Sequence, residues 1–357
     1  MRRRSVILGL MVLGIWGLFG VLLFGLPPGT DYYFSFYPAA SNWLETGALY
    51  EVNHHNPPWS LFILVLLRQM TFAGGQAALL LVTFVAILRI WYDFLPADAG
   101  IAGPLSLALS LFNLYVVDLL IRVQIDGLIL VGLLFMLLAL RHNQPELLGI
   151  GWLLAVLRPT SHYLFGLYSI WLAYRRGYLW RALWLPASMF GLSLLIFGNW
   201  PLLLYEQLTT RSPTSVWRTS WLRIAEYLNI SFLWAIAMMI LFGLASWWVW
   251  VRYAAMVDER TRVAFLLAAS LMTTPYAQSY HYSIIFPIFL TVLLPWRMWL
   301  ALPLLLTSTF LVLVRVPFGA GVAWVDMSMP LIVWMALVFK LYTAQSSPDV
   351  YPSTSPN

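Results

Sequence analysis

"LLGIGWLLAVLRPTSHYLFGLYSIWLAYRRG", residues 147–177, holds two apolar runs, 147–157 and 162–173, parted by Arg158-Pro159-Thr160-Ser161. Each run is about 12 residues, or roughly 18 Å of helix, so neither crosses an apolar slab of about 30 Å alone. Proline removes a backbone donor and turns the preceding residue away from helical angles, which forbids one continuous helix. Arg141 stands before the pair, and Arg175, Arg176 and Arg181 stand after it. Basic residues gather on the inner side of a bilayer. The pair therefore reads as a broken hairpin that starts and ends inside, with Arg158 turned toward the outer half.

The surrounding sequence is a suitable host for such a hairpin. The chain has 357 residues, of which 61% are hydrophobic and only 10% charged, and a mean hydropathy of +0.81. Soluble domains carry about 25% charged residues. The apolar runs are continuous rather than alternating, which favours helices over barrel strands. The fold class is thus an all-α polytopic membrane protein, with one transmembrane domain over residues 1–342 and a polar, Pro/Ser-rich tail over 343–357 read as disordered. The net charge of +6 comes from 19 Arg and a single Lys. It reads as charge asymmetry across a bilayer, with no nucleic acid as partner. No cysteine is present, which excludes disulfides and thiolate metal sites.

Charges and lengths give a topology. Residues 5–26 form a retained first helix that starts inside after Arg2, Arg3 and Arg4, and residues 27–57 form an outer loop. Residues 58–73 are short and contain Arg68, so they read as an interfacial helix. Residues 76–94, 101–119, 125–140, 182–199 and 230–251 are further helices, and 200–229 form a second outer loop with an interfacial helix of its own. A second broken pair covers 263–295, and 298–314 and 329–341 complete the set. This arrangement puts 13 of the 20 basic residues inside. Treating 57–73 as a full span would move Arg141 and the 175–181 cluster outside, against the positive-inside rule.

The unusual polar residues then fall on the outer side: Asp31, Glu45, His54, His55, Asp118, Arg122, Gln124, Asp126, Arg158, His162, Tyr276, Gln278 and His281. Ionisable groups at membrane depth are costly and point to function by default. Asp31 has two readings, a general base for a hydroxyl and a turn or cap residue after the first helix. The adjacent His54 and His55 point different ways and fit a wet loop better than a metal site. Asp118, Arg122 and Asp126 are spaced i, i+4, i+8 and would share one face if the helix continued, as a self-neutralising ladder. Gln124 fits that ladder less well and is a cavity candidate. Arg158 has no acid nearby in sequence; its guanidinium suits a phosphate, a pairing with Asp126 or Asp31, or snorkelling. His281 lies at a break in "TTPYAQSYHYSIIFP" and reads either as a donor to a phosphate oxygen or as a neutral interfacial histidine.

Four segments together carry a resemblance. They are "TDYYFSFYPAASNWLETGALYEVNHHNPPWSLF", "VQIDGLILVGLLFMLLALRH", the broken pair at 147–177, and "LMTTPYAQSYHYSIIFPIFL". In this order they resemble the GT-C superfamily of membrane glycosyltransferases, and more closely the polyprenol-phosphate-mannose-dependent mannosyltransferases of glycosyltransferase family 87. Val123 stands where the family pattern has Gly, Asp126 where it has Asn, and Thr274 where it has Ser.

The resemblance implies a GT-C-like bundle of about 9–12 spanning or half-spanning helices with a catalytic first outer loop. It implies an inverting transfer of a sugar, mannose in the family, from a polyprenyl-phosphate donor to a glycan, glycolipid or lipid-anchored acceptor. Asp31 would be the base, with Arg158 and His281 on the donor phosphate. Tyr37, Glu45, His54, His55, Gln124, Asp126, His162, Tyr276 and Gln278 would be cavity or acceptor candidates. A leaving monophosphate needs no metal, so no cofactor is expected. The implied location is a prokaryotic plasma membrane, with the N-terminus cytoplasmic and the active site extracytoplasmic among membrane lipids. The competing readings are a transporter or flippase of lipid-linked sugars, although no internal repeat is visible, and a non-catalytic membrane scaffold.

Overall fold

The computed structural model describes residues 14, 17–48, 56–210, 220–277, 281–283, 285–299, 301 and 323–344. His54, His55, Gln278, half of the expected first helix, most of the helix expected at 298–314 and most of the tail lie outside them. The described residues are helical with no strand. Among the described residues four helices are long and apolar enough to cross a membrane: Phe72–Phe94, Leu179–Phe197, Phe232–Met256 and Met327–Ala344. Ala102–Phe112 and Tyr115–Arg122 taken together would make a fifth. The chain is an all-α membrane protein. Its contacts fall into two compact units where the sequence suggested one domain. The first is Met1–Ile90, Tyr115–Pro159 and Ser169–Ser215; the second is Trp91–Leu114, Thr160–Tyr168 and Val216–Asn357.

In the first unit residues 17–25 are helical (α1). Within the stretch expected as an outer loop, 27–57, residues 30–46 are helical. A π-turn covers Tyr32–Phe36 and runs directly into α2, Tyr37–Thr46. Tyr32, Phe36, Ala39 and Ala40 are buried, and their i, i+4, i+7, i+8 spacing is a helical stripe. The polar residues between them disguised that stripe as a loop. Gly47 ends α2 at φ 73°, donating its N–H to Trp43 O at 3.0 Å, the left-handed stop that glycine adopts without strain. Helix α3, Trp59–Arg68, has ten residues, about 15 Å, too short to span. Helix α4 is Phe72–Phe94.

Asp118 and Arg122 lie on α6 and Asp126 opens α7, so the helix does not continue and the three do not share one face. Helix α5, Ala102–Phe112, stops at Asn113, and α6, Leu114–Arg122, stops at Val123. Val123 has φ 54°, and the chain restarts as α7, Asp126–His142. Helix α7 buries twelve of its 17 residues.

Beyond α7 the expected break appears: α8 is Pro145–Ala155, a 3-10 turn covers Pro159–Ser161, and α9 is Tyr163–Arg175. Helix α8 packs on α7 through paired glycines. A Cβ on Gly132 would meet Gly151 O at 2.9 Å and Ala155 N at 2.8 Å, and one on Gly151 would meet Gly132 O at 2.9 Å. Small residues let membrane helices approach to backbone contact. On the other side of α8, a Cβ on Gly149 would collide with Ala182 O of α10, Leu179–Phe197. Helix α11, Trp200–Thr210, follows α10, and Trp200 donates to Ser193 Oγ at 2.9 Å.

The second unit holds α5, then α12 (Trp221–Tyr227), α13 (Phe232–Tyr253), α14 (Glu259–Thr273), α15 (Ile285–Trp299) and α16 (Ala323–Ala344). Trp221 anchors its core. The ring stacks on Phe242 at 5.2 Å, and its N–H donates to Met272 O at 2.8 Å. Ile224, Ala235 and Met327 pack around it.

Candidate functional site

The first unit gathers five of the expected charged residues. Asp31 directly precedes the π-turn and makes no side-chain capping hydrogen bond, so it is not spent as a cap. Thr30 Oγ1 donates to Asp31 Oδ1 at 3.4 Å, and Arg122 Nη1 lies 3.9 Å from that oxygen. The same guanidinium donates from Nε to Asp118 Oδ1 at 2.8 Å. Arg158 Nη1 donates to Asp126 Oδ2 at 2.8 Å. The pairing of Arg158 with Asp126, one of its expected roles, is thus formed.

The local chain path explains why these groups meet. Pro27-Pro28-Gly29 turns the chain out of α1. Gln76, a buried residue of α4, holds that turn from both sides: its Oε1 accepts from Gly29 N at 2.8 Å, and its Nε2 donates to Pro27 O at 2.9 Å. A Cβ on Gly29 would collide with the Val123 side chain and lie 2.9 Å from Arg122 O. Glycine therefore lets the turn rest against the break between α6 and α7, which brings Asp31 to Arg122. Gln76 was not singled out from the sequence. Its signal was a lone amide inside the apolar run "FAGGQAALLL", which needs a buried partner.

Electrostatically, burial pushes the Asp31 carboxyl above its usual 3.8. The charges of Arg122 and Arg158 and the Thr30 hydrogen bond work against this rise, while Asp118 adds to it. Deeper in, Asp126 is fully buried and its Oδ1 has no hydrogen-bond partner among the described residues. Gln124 is 1% exposed, and neither its Oε1 nor its Nε2 has one. Buried polar atoms are satisfied in the great majority of cases, so these three unmet atoms set the break apart from most of the described core. Val123, where the resemblance expects glycine, sits in the left-handed region that a β-branched residue avoids. That marks the break as a constrained element.

The other expected site residues fall elsewhere. Tyr37 packs against Phe72 at 5.1 Å, with the Arg68 guanidinium 4.6 Å over its ring; Arg68 Nε also donates to Ser41 Oγ at 2.8 Å. Tyr37 thus joins α2 to its neighbours. Glu45 is exposed on α2. His162, Tyr276 and His281 belong to the second unit. His162 is buried, its Nδ1 3.1 Å from Ser161 Oγ. His281 is buried edge-on to Tyr276 at 6.2 Å. No family model, curated protein or solved structure matches the chain.

Proposed function

We propose that the protein is an inverting glycosyltransferase that moves a sugar, mannose by resemblance, from a polyprenyl-phosphate donor to a glycan or glycolipid acceptor at the outer membrane face. The observation that carries the reading is Asp31: a carboxylate not used as a cap, following a turn held by a buried clamp, and pushed up by burial beside Arg122. A general base needs an ionised form that gains from taking a proton. In the reaction Asp31 takes the proton of an acceptor hydroxyl. The oxygen attacks the anomeric carbon from the face opposite the phosphate. The bond from that carbon to the phosphate oxygen breaks, and its electron pair leaves with the lipid monophosphate. Arg158 counters the charge gathering there. Its bond to Asp126 fixes the guanidinium's direction. Gln124 and the second oxygen of Asp126 have atoms to offer sugar hydroxyls. The phosphate role that the resemblance gives His281 is tested on its own by His281→Ala.

One observation favours a second reading, a transporter or flippase of lipid-linked sugars: the buried Asp126–Arg158 pair beside the break after α8, a combination that transport pathways also use. The deciding experiment uses purified protein in lipid, radiolabelled polyprenyl-phosphate-mannose and a membrane glycolipid extract. Wild-type transfer that falls by about 10²–10⁴ in Asp31→Asn supports the enzyme. Equal transfer by both proteins removes Asp31 from the chemistry. Movement of the lipid-linked sugar across the bilayer without transfer establishes the transporter.

A further inference from the structure

The second unit contains a cavity of about 240 Å³ that the proposed chemistry does not use. Helix ends surround it. Phe94 closes α4, Asp258 and Arg260 open α14, Thr291 to Trp296 lie in the second half of α15, and Lys340 lies in the last turns of α16. Ends of apolar helices mark the level where hydrocarbon gives way to water. By the charge topology this is the inner level, since Arg252, Arg262 and Arg297 lie close by in sequence.

The cavity's charges are layered. Arg260 and Lys340 are partly buried, on helices. Asp98 and Asp258 are exposed, one in the loop after α4 and one just before α14. Each cation is fastened to a backbone carbonyl: Arg260 Nη1 donates to Phe94 O at 3.0 Å, and Lys340 Nζ to Val292 O at 3.2 Å. These bonds use one donor of each, and among the described residues neither cation has a carboxylate within 4.0 Å. Lys340 also lies 5.9 Å from the Trp296 ring. It is the only lysine in a chain of 19 arginines. A compact ammonium with rotatable donors suits a phosphate as a point charge where the arginine fork is too wide.

We infer that this cavity binds a phosphoethanolamine headgroup, with its phosphate on Arg260 and Lys340 and its ammonium on Asp98 and Asp258. A phospholipid in the inner leaflet presents these groups in that order, phosphate deeper and ammonium toward water. The volume suits a headgroup, being smaller than the roughly 300–1,000 Å³ of drug-sized ligand pockets. Lipid headgroups are commonly held by basic pockets between membrane helices. The carboxylates at the mouth add a preference: ethanolamine offers N–H donors that choline lacks, and phosphatidylglycerol has no cation for them.

The test is lipid retention by the full-length protein, measured by native mass spectrometry after equilibration in nanodiscs of phosphatidylethanolamine, phosphatidylcholine or phosphatidylglycerol. The wild type should retain phosphatidylethanolamine about tenfold better than either of the others, roughly the worth of one good charged contact. Arg260→Gln with Lys340→Gln should lower retention about thirtyfold. Asp98→Asn with Asp258→Asn should abolish the preference over choline while keeping the α14 cap, since Asn caps as Asp does. Arg252→Gln, a charge loss outside the cavity, should change nothing. Competition by soluble phosphoethanolamine at millimolar levels would keep the site and make its occupant a water-soluble phosphate ester. Equal retention of the three lipids by the wild type, a reading that needs no variant to fold, overturns the proposal. An equal loss in Arg252→Gln also overturns it.

Discussion

Asp31 carries a charge that its surroundings resist. Burial raises its proton affinity, and two arginines hold that rise in check. The sign for catalysis follows directly. In the proposed role of base Asp31 must be deprotonated, and its folded pKa is raised above 3.8, so kcat/KM should fall as pH drops through that raised value. A pH profile of transfer should show an acid limb centred above the ordinary carboxylate midpoint. Substituting Arg122→Gln removes the nearer restraint and should shift that limb further toward neutral pH. A limb unmoved by Arg122→Gln would uncouple the two residues. Val123 makes a separate prediction about strain. In ordinary helix interiors Ala is better than Gly by about 1 kcal/mol. At φ 54° both substitutions lose the same buried methyl groups, and only Gly relieves the backbone. Thermal unfolding should therefore find Val123→Gly more stable than Val123→Ala, the reverse of the usual order.

At the scale of elements, close approach does the positioning. The Gly132–Gly151 contact leaves no room for a methyl group on Gly132, because two of the three nearest atoms it would meet are backbone. Gly132→Ala should destabilise the protein by about 1–3 kcal/mol in a denaturation series, as overpacking does. Gly166→Ala, where nothing lies within 4 Å, should be neutral. The Gln76 clamp predicts a functional loss: Gln76→Leu leaves Gly29 N and Pro27 O without their partner, at about 1–3 kcal/mol each, and should lower kcat with little change in KM. The sequence made some of these elements legible. The break at Arg158-Pro159 was readable because proline acts locally and both flanking runs are too short to span. The π-turn and α2 were hidden because Asp31, Ser41, Asn42 and Glu45 interrupt a stripe whose buried members are tyrosine, phenylalanine and two alanines. The α6–α7 break falls in the gap between the helices expected at 101–119 and 125–140, but the left-handed turn at Val123 was hidden because nothing in "IRVQID" is a helix breaker; Val123 packs there against Gly29. Gln76 was hidden because its partners lie 47 and 49 residues away.

At the scale of the whole molecule, composition alone announced a membrane protein, and the long apolar helices agree with it. Composition does not report which helices meet lipid and which meet protein. Helix α7 is mostly buried, yet only 11% of the apolar window of α10 is, and 17% of that of α13; all three read alike as sequence. The buried ion pair makes a prediction of its own. Asp126→Leu or Arg158→Leu alone strands a charge and should cost about 3–5 kcal/mol, whereas the double replacement should recover much of that loss in thermal stability.

The exposure of α10 carries one more consequence. Its 19 residues, at about 1.5 Å each, give an apolar length of roughly 28 Å, just under a typical hydrocarbon core of about 30 Å. A thicker bilayer would have to thin locally around this helix, pressing on it at both ends. Helix α10 touches α8 backbone to backbone at Gly149 and Ala182, and α8 leads within three residues to Arg158. Hydrophobic mismatch at the lipid surface thus has a stiff lever to the guanidinium. Reconstitution in a series of acyl-chain lengths should give a turnover optimum at short to medium chains, declining as the bilayer thickens.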